Sequence, residues 1–231
     1  MNHIWAVIPA AGVGKRMQAD RPKQYLQLHQ KTVLQHTIER MAAHPSVTGV
    51  VVAISPGDGY WPDLAISIEK PLHVVDGGDE RCHSVLNGLT FLMEQDFENA
   101  WALVHDAARP CVRQEDVTKL INRVVDAQQG GLLGLPVSDT IKFCDNSDVV
   151  QKTVSRDGLW RALTPQMFRV RELYDAIRQS LEDLYLVTDE ASAIEHVGGR
   201  PLMVEGHPDN IKITRPQDLM LAEMFLQQQE S

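Results

Sequence analysis

The sequence predicts an α/β protein: an open, twisted, mostly parallel sheet with helices on both faces. Three observations carry this. Short apolar runs of strand length recur, amphipathic stretches of helical spacing alternate with them, and small, charged and turn-forming residues cluster where the runs end. One stretch breaks the alternation, because two β-like runs follow each other directly between 139 and 158 and read as an inserted β-hairpin arm.

Ile4-Trp5-Ala6-Val7-Ile8 is the first buried strand, and Val50-Val51-Val52-Ala53-Ile54 the second. Between them Val33, Leu34, Ile38, Met41 and Ala42 fall on one helical face, and His44-Pro45 supplies a stop. Leu72-His73-Val74-Val75 is a third, shorter strand, followed by a helix whose apolar face holds Val85, Leu86, Leu89, Leu92 and Met93. Trp101 to His105 forms the fourth strand. Val117, Leu120, Ile121, Val124 and Val125 mark the next helix, which Gly130-Gly131 closes before the strand-like run Leu132 to Val137. Thr140 to Phe143 and Val149 to Val154, separated by Asp145-Asn146-Ser147-Asp148, form the arm. An isolated two-stranded arm is marginal in water, so a second copy of the chain is its expected support. A helix through Leu173, Ile177 and Leu181 follows, then one opened by Thr188-Asp189-Glu190 and ended near Gly198-Gly199. Asn210-Ile211-Lys212-Ile213-Thr214 reads as a strand delivering one lysine, and a last helix carries Leu219, Ala222, Phe225 and Leu226. Repeats, linkers and low-complexity tracts are lacking, so residues 1–231 are assigned to one domain with 139–158 as its arm.

Composition narrows the function. At 231 residues, with 43% hydrophobic and 23% charged residues, the chain has the balance of a globular protein, and no apolar run is long enough to span a bilayer. The N-terminal apolar run meets Pro9 within a few residues and lacks the order of a secretory signal, so the cytoplasm is expected. Cys82, Cys111 and Cys144 are odd in number and widely spaced, which disfavours a disulfide framework or a structural zinc site. A net charge of −9 disfavours a polynucleotide partner but not a small phosphorylated one, which a few local cations can hold. The nine histidines show no metal-ligand spacing, and His29, His36, His44 and His196 are read as surface or helix-face residues. No Gly-x-Ser-x-Gly elbow and no Cys/His motif supports a nucleophilic hydrolase.

The most informative segment is Ile8-Pro9-Ala10-Ala11-Gly12-Val13-Gly14-Lys15-Arg16-Met17, at the exit of the first strand. Small residues let backbone N–H groups approach an anion, and Lys15 and Arg16 add full charges suited to a triphosphate. A P-loop needs a different glycine spacing followed by Lys-Ser/Thr, and a dinucleotide fingerprint needs a small residue where Met17 stands. In open α/β sheets ligands bind beyond the carboxyl ends of the strands, and further clusters stand at those exits. They are Arg21-Pro22-Lys23-Gln24 in the first loop, Asp76-Gly77-Gly78-Asp79-Glu80-Arg81 with Ser84 after the third strand, and His105-Asp106-Ala107-Ala108-Arg109-Pro110 after the fourth. Asp106 suits hydroxyls or a metal and Arg109 suits phosphate, although Asp-x-x-Arg is also a common local ion pair. Arg156 past the arm, Thr164-Pro165-Gln166, and Lys212 complete the set.

The ordered set of these motifs, with Thr188-Asp189-Glu190-Ala191-Ser192-Ala193, closely resembles the 2-C-methyl-D-erythritol 4-phosphate cytidylyltransferase family from the first strand to the last helix. The resemblance implies a Rossmann-like sheet, a homodimer with crossing arms, and transfer of CMP from CTP to methylerythritol phosphate in non-mevalonate isoprenoid biosynthesis. It implies a divalent cation, usually Mg2+, held mainly by the CTP phosphates. Ala10, Ala11, Gly12, Gly14, Arg16 and Lys23 would hold the triphosphate, and Gly78, Asp79, Arg81 and Ser84 the cytosine and ribose. Asp106, Arg109, Thr140, Arg156, Thr164, Thr188 and Lys212 would surround methylerythritol phosphate, with Thr140 and Arg156 serving the neighbouring subunit. Arg16, Lys23, Arg156 and Lys212 carry the catalytic expectation, which needs no general base because a phosphate monoester is already largely ionised near neutral pH. Rival readings are a cytidylyltransferase for another polyol phosphate such as ribitol 5-phosphate, and a silent nucleotide-binding subunit.

Overall fold

The computed structural model describes residues 3–12 and 21–230; Gly14, Lys15, Arg16 and Met17 lie outside the described residues. β1 (Ile4–Pro9) is followed by a 3-10 turn over Lys23–Tyr25 and a small antiparallel hairpin, β2 (Gln27–Leu28) and β3 (Lys31–Thr32). α1 (Val33–Ala43) begins at a capping box in which Thr32 Oγ1 accepts from the Gln35 N–H and Gln35 Oε1 accepts from the Thr32 N–H. β4 (Gly49–Ile54), β5 (Leu72–Asp76), α2 (Arg81–Glu94), β6 (Trp101–Val104), α3 (Gln114–Ala127) and β7 (Gly131–Pro136) follow. The arm is β8 (Ile141–Cys144) paired with β9 (Val150–Val154), and the chain ends with β10 (Trp160–Arg169), α4 (Val170–Glu182), α5 (Glu190–His196), β11 (Leu202–Glu205) and α6 (Pro216–Glu230).

Seven strands form one sheet in the order β11-β7-β10-β6-β1-β4-β5. All neighbours are parallel except those of β10, which runs against both β6 and β7. The period-two alternation of strands divides the core between the two faces. Ile4, Ala6 and Ile8 of β1 pack with α1 and α3, whereas Trp5 and Val7 pack with α2 and α4. A third cluster beneath α6 joins Leu28, Val33, Ala108, Cys111 and Ile213 to Ala222 and Leu226. Among the described residues no helix is long and apolar enough to cross a membrane, and the three cysteines are free.

Four details differ from the sequence reading. Asn210 to Thr214 is not a strand: its carbonyls accept from the side chains of Arg109 and Lys23, and the Ile213 N–H donates to Ala108 O, so no ladder forms. β10 escaped notice because Pro165 interrupts it, and the register shift between Ala162 and Gln166 lets that residue lack an N–H without cost to the ladder. The edge strand β11, with Val204 its one buried residue, also went unread. His44, read as a surface or helix-face residue, stands at the end of α1 and is buried, with its ring Nε2 2.9 Å from Thr118 Oγ1.

Gly49 opens β4 where a Cβ would lie 2.4 Å from the buried Trp5 ring and 3.0 Å from Pro71 O. Gly49→Ala is expected to destabilise the fold by ~1–3 kcal/mol through overpacking. The measurement is the urea midpoint at unchanged slope, and an unaltered midpoint contradicts a rigid ring at that place.

Candidate active site

The chain passes from β1 outward to β4 and β5, then returns to place β6 on the other side of β1. This reversal opens a crevice beyond the carboxyl ends of β1 and β6. Ala10, Ala11 and Gly12 leave β1 into one side of it, Gly78 and Asp79 arrive from β5, and Arg81 and Ser84 come from the first turn of α2. Lys23 and Lys212 complete this cleft with Asp106. The loop after β1 is pinned from behind: the Ala10 N–H donates to Ala53 O, Gln24 Nε2 to Ala10 O and Ser55 Oγ to Ala11 O, at 2.6 to 2.8 Å. Gly77 is required by close approach, since a Cβ there would stand 2.4 Å from Ala11 Cβ. The Gly78 N–H donates to Ser84 Oγ at 3.1 Å, which ties this loop to α2.

A second cleft lies against the first and is lined by Arg109, Thr164 and Thr188, with Arg81, Asp106 and Lys212 common to both. That common wall is an ion cluster. Asp106 Oδ1 accepts from Arg81 Nε at 2.8 Å, while Oδ2 lies 2.8 Å from Lys212 Nζ and 3.5 Å from Arg109 Nε. Burial alone would raise the Asp106 pKa, but Arg81, Lys212 and Arg109 together hold it well below the ordinary carboxylate range. The Arg81 guanidinium also grips Glu190 with both terminal nitrogens, at 2.6 and 3.0 Å. Against its partial burial, Glu190 and Asp106 raise the Arg81 pKa further, so it stays charged.

Below the wall, His105 is fully buried and its Nε2 lies 2.9 Å from Arg109 O. A carbonyl only accepts, which assigns the ring proton to Nε2 and leaves Nδ1 to accept from the Thr164 hydroxyl at 3.0 Å. Thr164 Oγ1 in turn accepts from the Asp106 N–H at 3.1 Å. The one hydroxyl proton of Thr164 is therefore committed to His105. Asn210 Nδ2 donates to Thr164 O, Arg109 donates to Asn210 O, and Gln166 bridges β10 to α5 by donating to Asp189 and accepting from the Ala191 N–H.

The structure thus brings together Ala10, Ala11, Gly12, Lys23, Gly78, Asp79, Arg81, Ser84, Asp106, Arg109, Thr164, Thr188 and Lys212. Lys23 Nζ donates to Ile213 O at 3.1 Å, which places it beside the segment carrying Lys212. Thr140 and Arg156 line neither cleft; both are exposed at the base of the arm, where Arg156 donates to Ser138 O. Glu190, Gln166, Asn210 and His105 were assigned no role from sequence, although each stands inside a quoted motif.

Desolvation pushes the His105 pKa down to about 4. The unfolded chain therefore binds a proton below about pH 6.5 that the fold refuses until about pH 4, so stability falls as pH drops through that window. The expected loss is ~3 kcal/mol, measured as the extra steepness of wild type over His105→Gln in melts between pH 6.5 and 4. Equal slopes would show that His105 is protonated in the fold.

This site, a small-residue turn opposite an ion cluster with a second polar cleft behind it, stands in a chain that matches known proteins over nearly its whole length. The family model described as "IspD: 2-C-methyl-D-erythritol 4-phosphate cytidylyltransferase" matches residues 4–228. The 2-C-methyl-D-erythritol 4-phosphate cytidylyltransferase of Vibrio vulnificus strain YJ016 is 50% identical over 100% of this chain and 97% of its own. The crystal structure of the Francisella tularensis enzyme of that name superposes with a TM-score of 0.84 at 35% identity, covering 97% of this chain and 100% of that one. A crystal structure of 4-diphosphocytidyl-2C-methyl-D-erythritol synthase gives 0.85 at 36% identity, covering 98% and 99%. With a family model over residues 4–228, a relative 50% identical over the whole chain and solved structures of the same fold, the chain belongs to the 2-C-methyl-D-erythritol 4-phosphate cytidylyltransferase family, a family of nucleotidyltransferases.

Proposed function

We propose that this chain joins 2-C-methyl-D-erythritol 4-phosphate to CTP, releasing pyrophosphate and forming 4-diphosphocytidyl-2-C-methyl-D-erythritol. The observation that carries the reading is the pair of clefts sharing the Arg81, Asp106 and Lys212 wall, which seats two anionic substrates on either side of one set of charges. Backbone groups of Ala10, Ala11 and Gly12, with Lys23, receive the triphosphate, and Arg16 joins them from the same loop. Gly78, Asp79 and Ser84 face the nucleoside, with Arg81 as the wall behind it. Asp106 takes acceptor hydroxyls, Arg109 and Lys212 supply positive charge to the acceptor phosphate, and Thr188 lines the far side of that cleft. Thr164, whose proton is given to His105, supports the backbone of Asp106.

The chemistry is in-line attack of an acceptor phosphate oxygen on the α-phosphorus of CTP, with the bond to pyrophosphate breaking. The attacking oxygen is already ionised, and Asp106 holds its proton too weakly to serve as a base near neutral pH. Positioning and charge neutralisation supply the rate, with Lys23 and Arg16 acting on the α-phosphate and the leaving group. Among the described residues no three His, Cys, Asp or Glu converge, and both Asp106 oxygens are engaged by cations. The donor set fits a magnesium ion carried on the triphosphate oxygens, where it would neutralise the leaving charge.

The arm supports a homodimer. Phe143, Val149 and Val150 are more than half exposed on it, an apolar surface that a second copy would bury. Arg156 and Thr140, distant from their own clefts, then serve the partner's acceptor site. The absence of disulfides fits a cytoplasmic setting for these phosphorylated substrates.

Pyrophosphate release measured with CTP against methylerythritol phosphate and ribitol 5-phosphate tests the assignment; a preference for ribitol phosphate overturns it. Lys23→Ala is expected to lower kcat by ~100-fold or more with the fold intact, the scale of one lost preorganised charge contact. Dimers pairing an Arg156→Ala chain with a Lys23→Ala chain should regain about one competent site, because the arm acts in trans. Mixed dimers no more active than their parents would place Arg156 outside the neighbouring site.

A further inference from the structure

Glu190 is the most deeply buried carboxylate of the α5 start, 1% exposed, and it touches neither cleft. Its two oxygens accept from the two terminal nitrogens of Arg81, a parallel fork that fixes the plane of the guanidinium. With the plane fixed, the remaining Nε–H points at Asp106 Oδ1. Glu190 itself is held rigidly: Asp189 caps α5 by accepting from the Ser192 N–H, and Gln166 ties the same turn to β10 through Asp189 and Ala191. A neutral side chain would satisfy Arg81 less well, and a free Arg81 would turn toward whichever phosphate is nearer.

We propose that Glu190 is a positioning residue, which acts through Arg81 to aim the Asp106 carboxylate at the acceptor substrate. The inference rests on the cytidylyltransferase reading above. It extends that reading from residues that face substrate to one that faces none. Beyond the shared wall of Arg81, Asp106 and Lys212, the nucleotide cleft is built from the turn after β1, Lys23, Gly78, Asp79 and Ser84, whereas the acceptor cleft takes its further cation, Arg109, from the Asp106 cluster itself. The three cations of the acceptor cleft, Arg81, Arg109 and Lys212, all converge on Asp106. Loss of the grip should therefore be felt by the acceptor much more than by CTP.

The test is Glu190→Gln, which keeps the shape and removes the charge. The KM for methylerythritol phosphate is expected to rise tenfold or more while the Kd for CTP alone, from calorimetry, stays within threefold. An unchanged acceptor KM, or an equal loss of CTP affinity, overturns the proposal. In an Arg81→Lys background, adding Glu190→Gln should worsen the acceptor KM by less than threefold; a full additional loss means that Glu190 does not act through Arg81. Should Glu190→Gln fail to fold, Arg81→Gln/Glu190→Gln compared with Arg81→Gln carries the same comparison. The Arg81 Nε–H resonance, protected from exchange by Asp106 in the wild type, should lose its protection in Glu190→Gln, and persistence overturns the idea. That signal needs no turnover. A wild type inert with both substrates thus counts against the assigned reaction, while the resonance still decides the role of Glu190.

Discussion

Asp106 holds the site together, because one buried carboxylate gathers three cations that would otherwise repel one another. At an effective dielectric of about 20, the contacts to Arg81 and Arg109 are each worth about 5 kcal/mol of attraction. Desolvating the ions costs several kcal/mol apiece, so a single pair would roughly break even and the cluster tips the balance. Lys212 is more exposed, and its contribution is smaller for that reason. The result is a set of positive groups already in place before any phosphate arrives, which is the condition for electrostatic stabilisation without reorganisation during the reaction.

The cluster depends on distant segments meeting beyond the carboxyl ends of the central strands β1 and β6. Arg81 comes from the start of α2, Asp106 from the exit of β6, and Lys212 from a loop laid across the strand ends. That loop is held by Arg109 and Asn210 on one side and by Lys23 on the other, so the cations are bound to the scaffold as well as to Asp106. His105 and Thr164 hold the Asp106 backbone from below through a chain of oriented hydrogen bonds. Such a network is rigid where its members are satisfied, as the His105 ring and the Thr164 hydroxyl are, whereas Arg109 Nε and Asn210 Oδ1 are buried without a hydrogen bond.

Much of this was legible. Apolar run length marks the strand exits, and the small residues at Ala10 to Gly12 signal close backbone approach, whereas the need for glycine at position 77 follows only from its contact with Ala11. Asp106 and Arg109 were found because unlike charges stood together at a strand end. Asn210 to Thr214 misled, since alternating Ile211 and Ile213 look like a strand whether their backbone groups meet another strand or the side chains of Arg109 and Lys23. β10 was hidden by Pro165, and Glu190 by its own burial: an acidic residue opening a helix reads as a solvated cap until Arg81 is seen against it.

The amino-acid sequence by itself determined the alternation of strands and helices, the loops that carry the candidate phosphate-binding residues, and the family, because periodicity and motif order are local properties of the chain. The tertiary structure alone decided that β10 runs against its neighbours, that Arg81 faces Glu190 and Asp106 at once, and that Thr164 gives its proton to His105. Those facts are pairings between segments up to 109 residues apart. No local pattern encodes which buried charge will meet which.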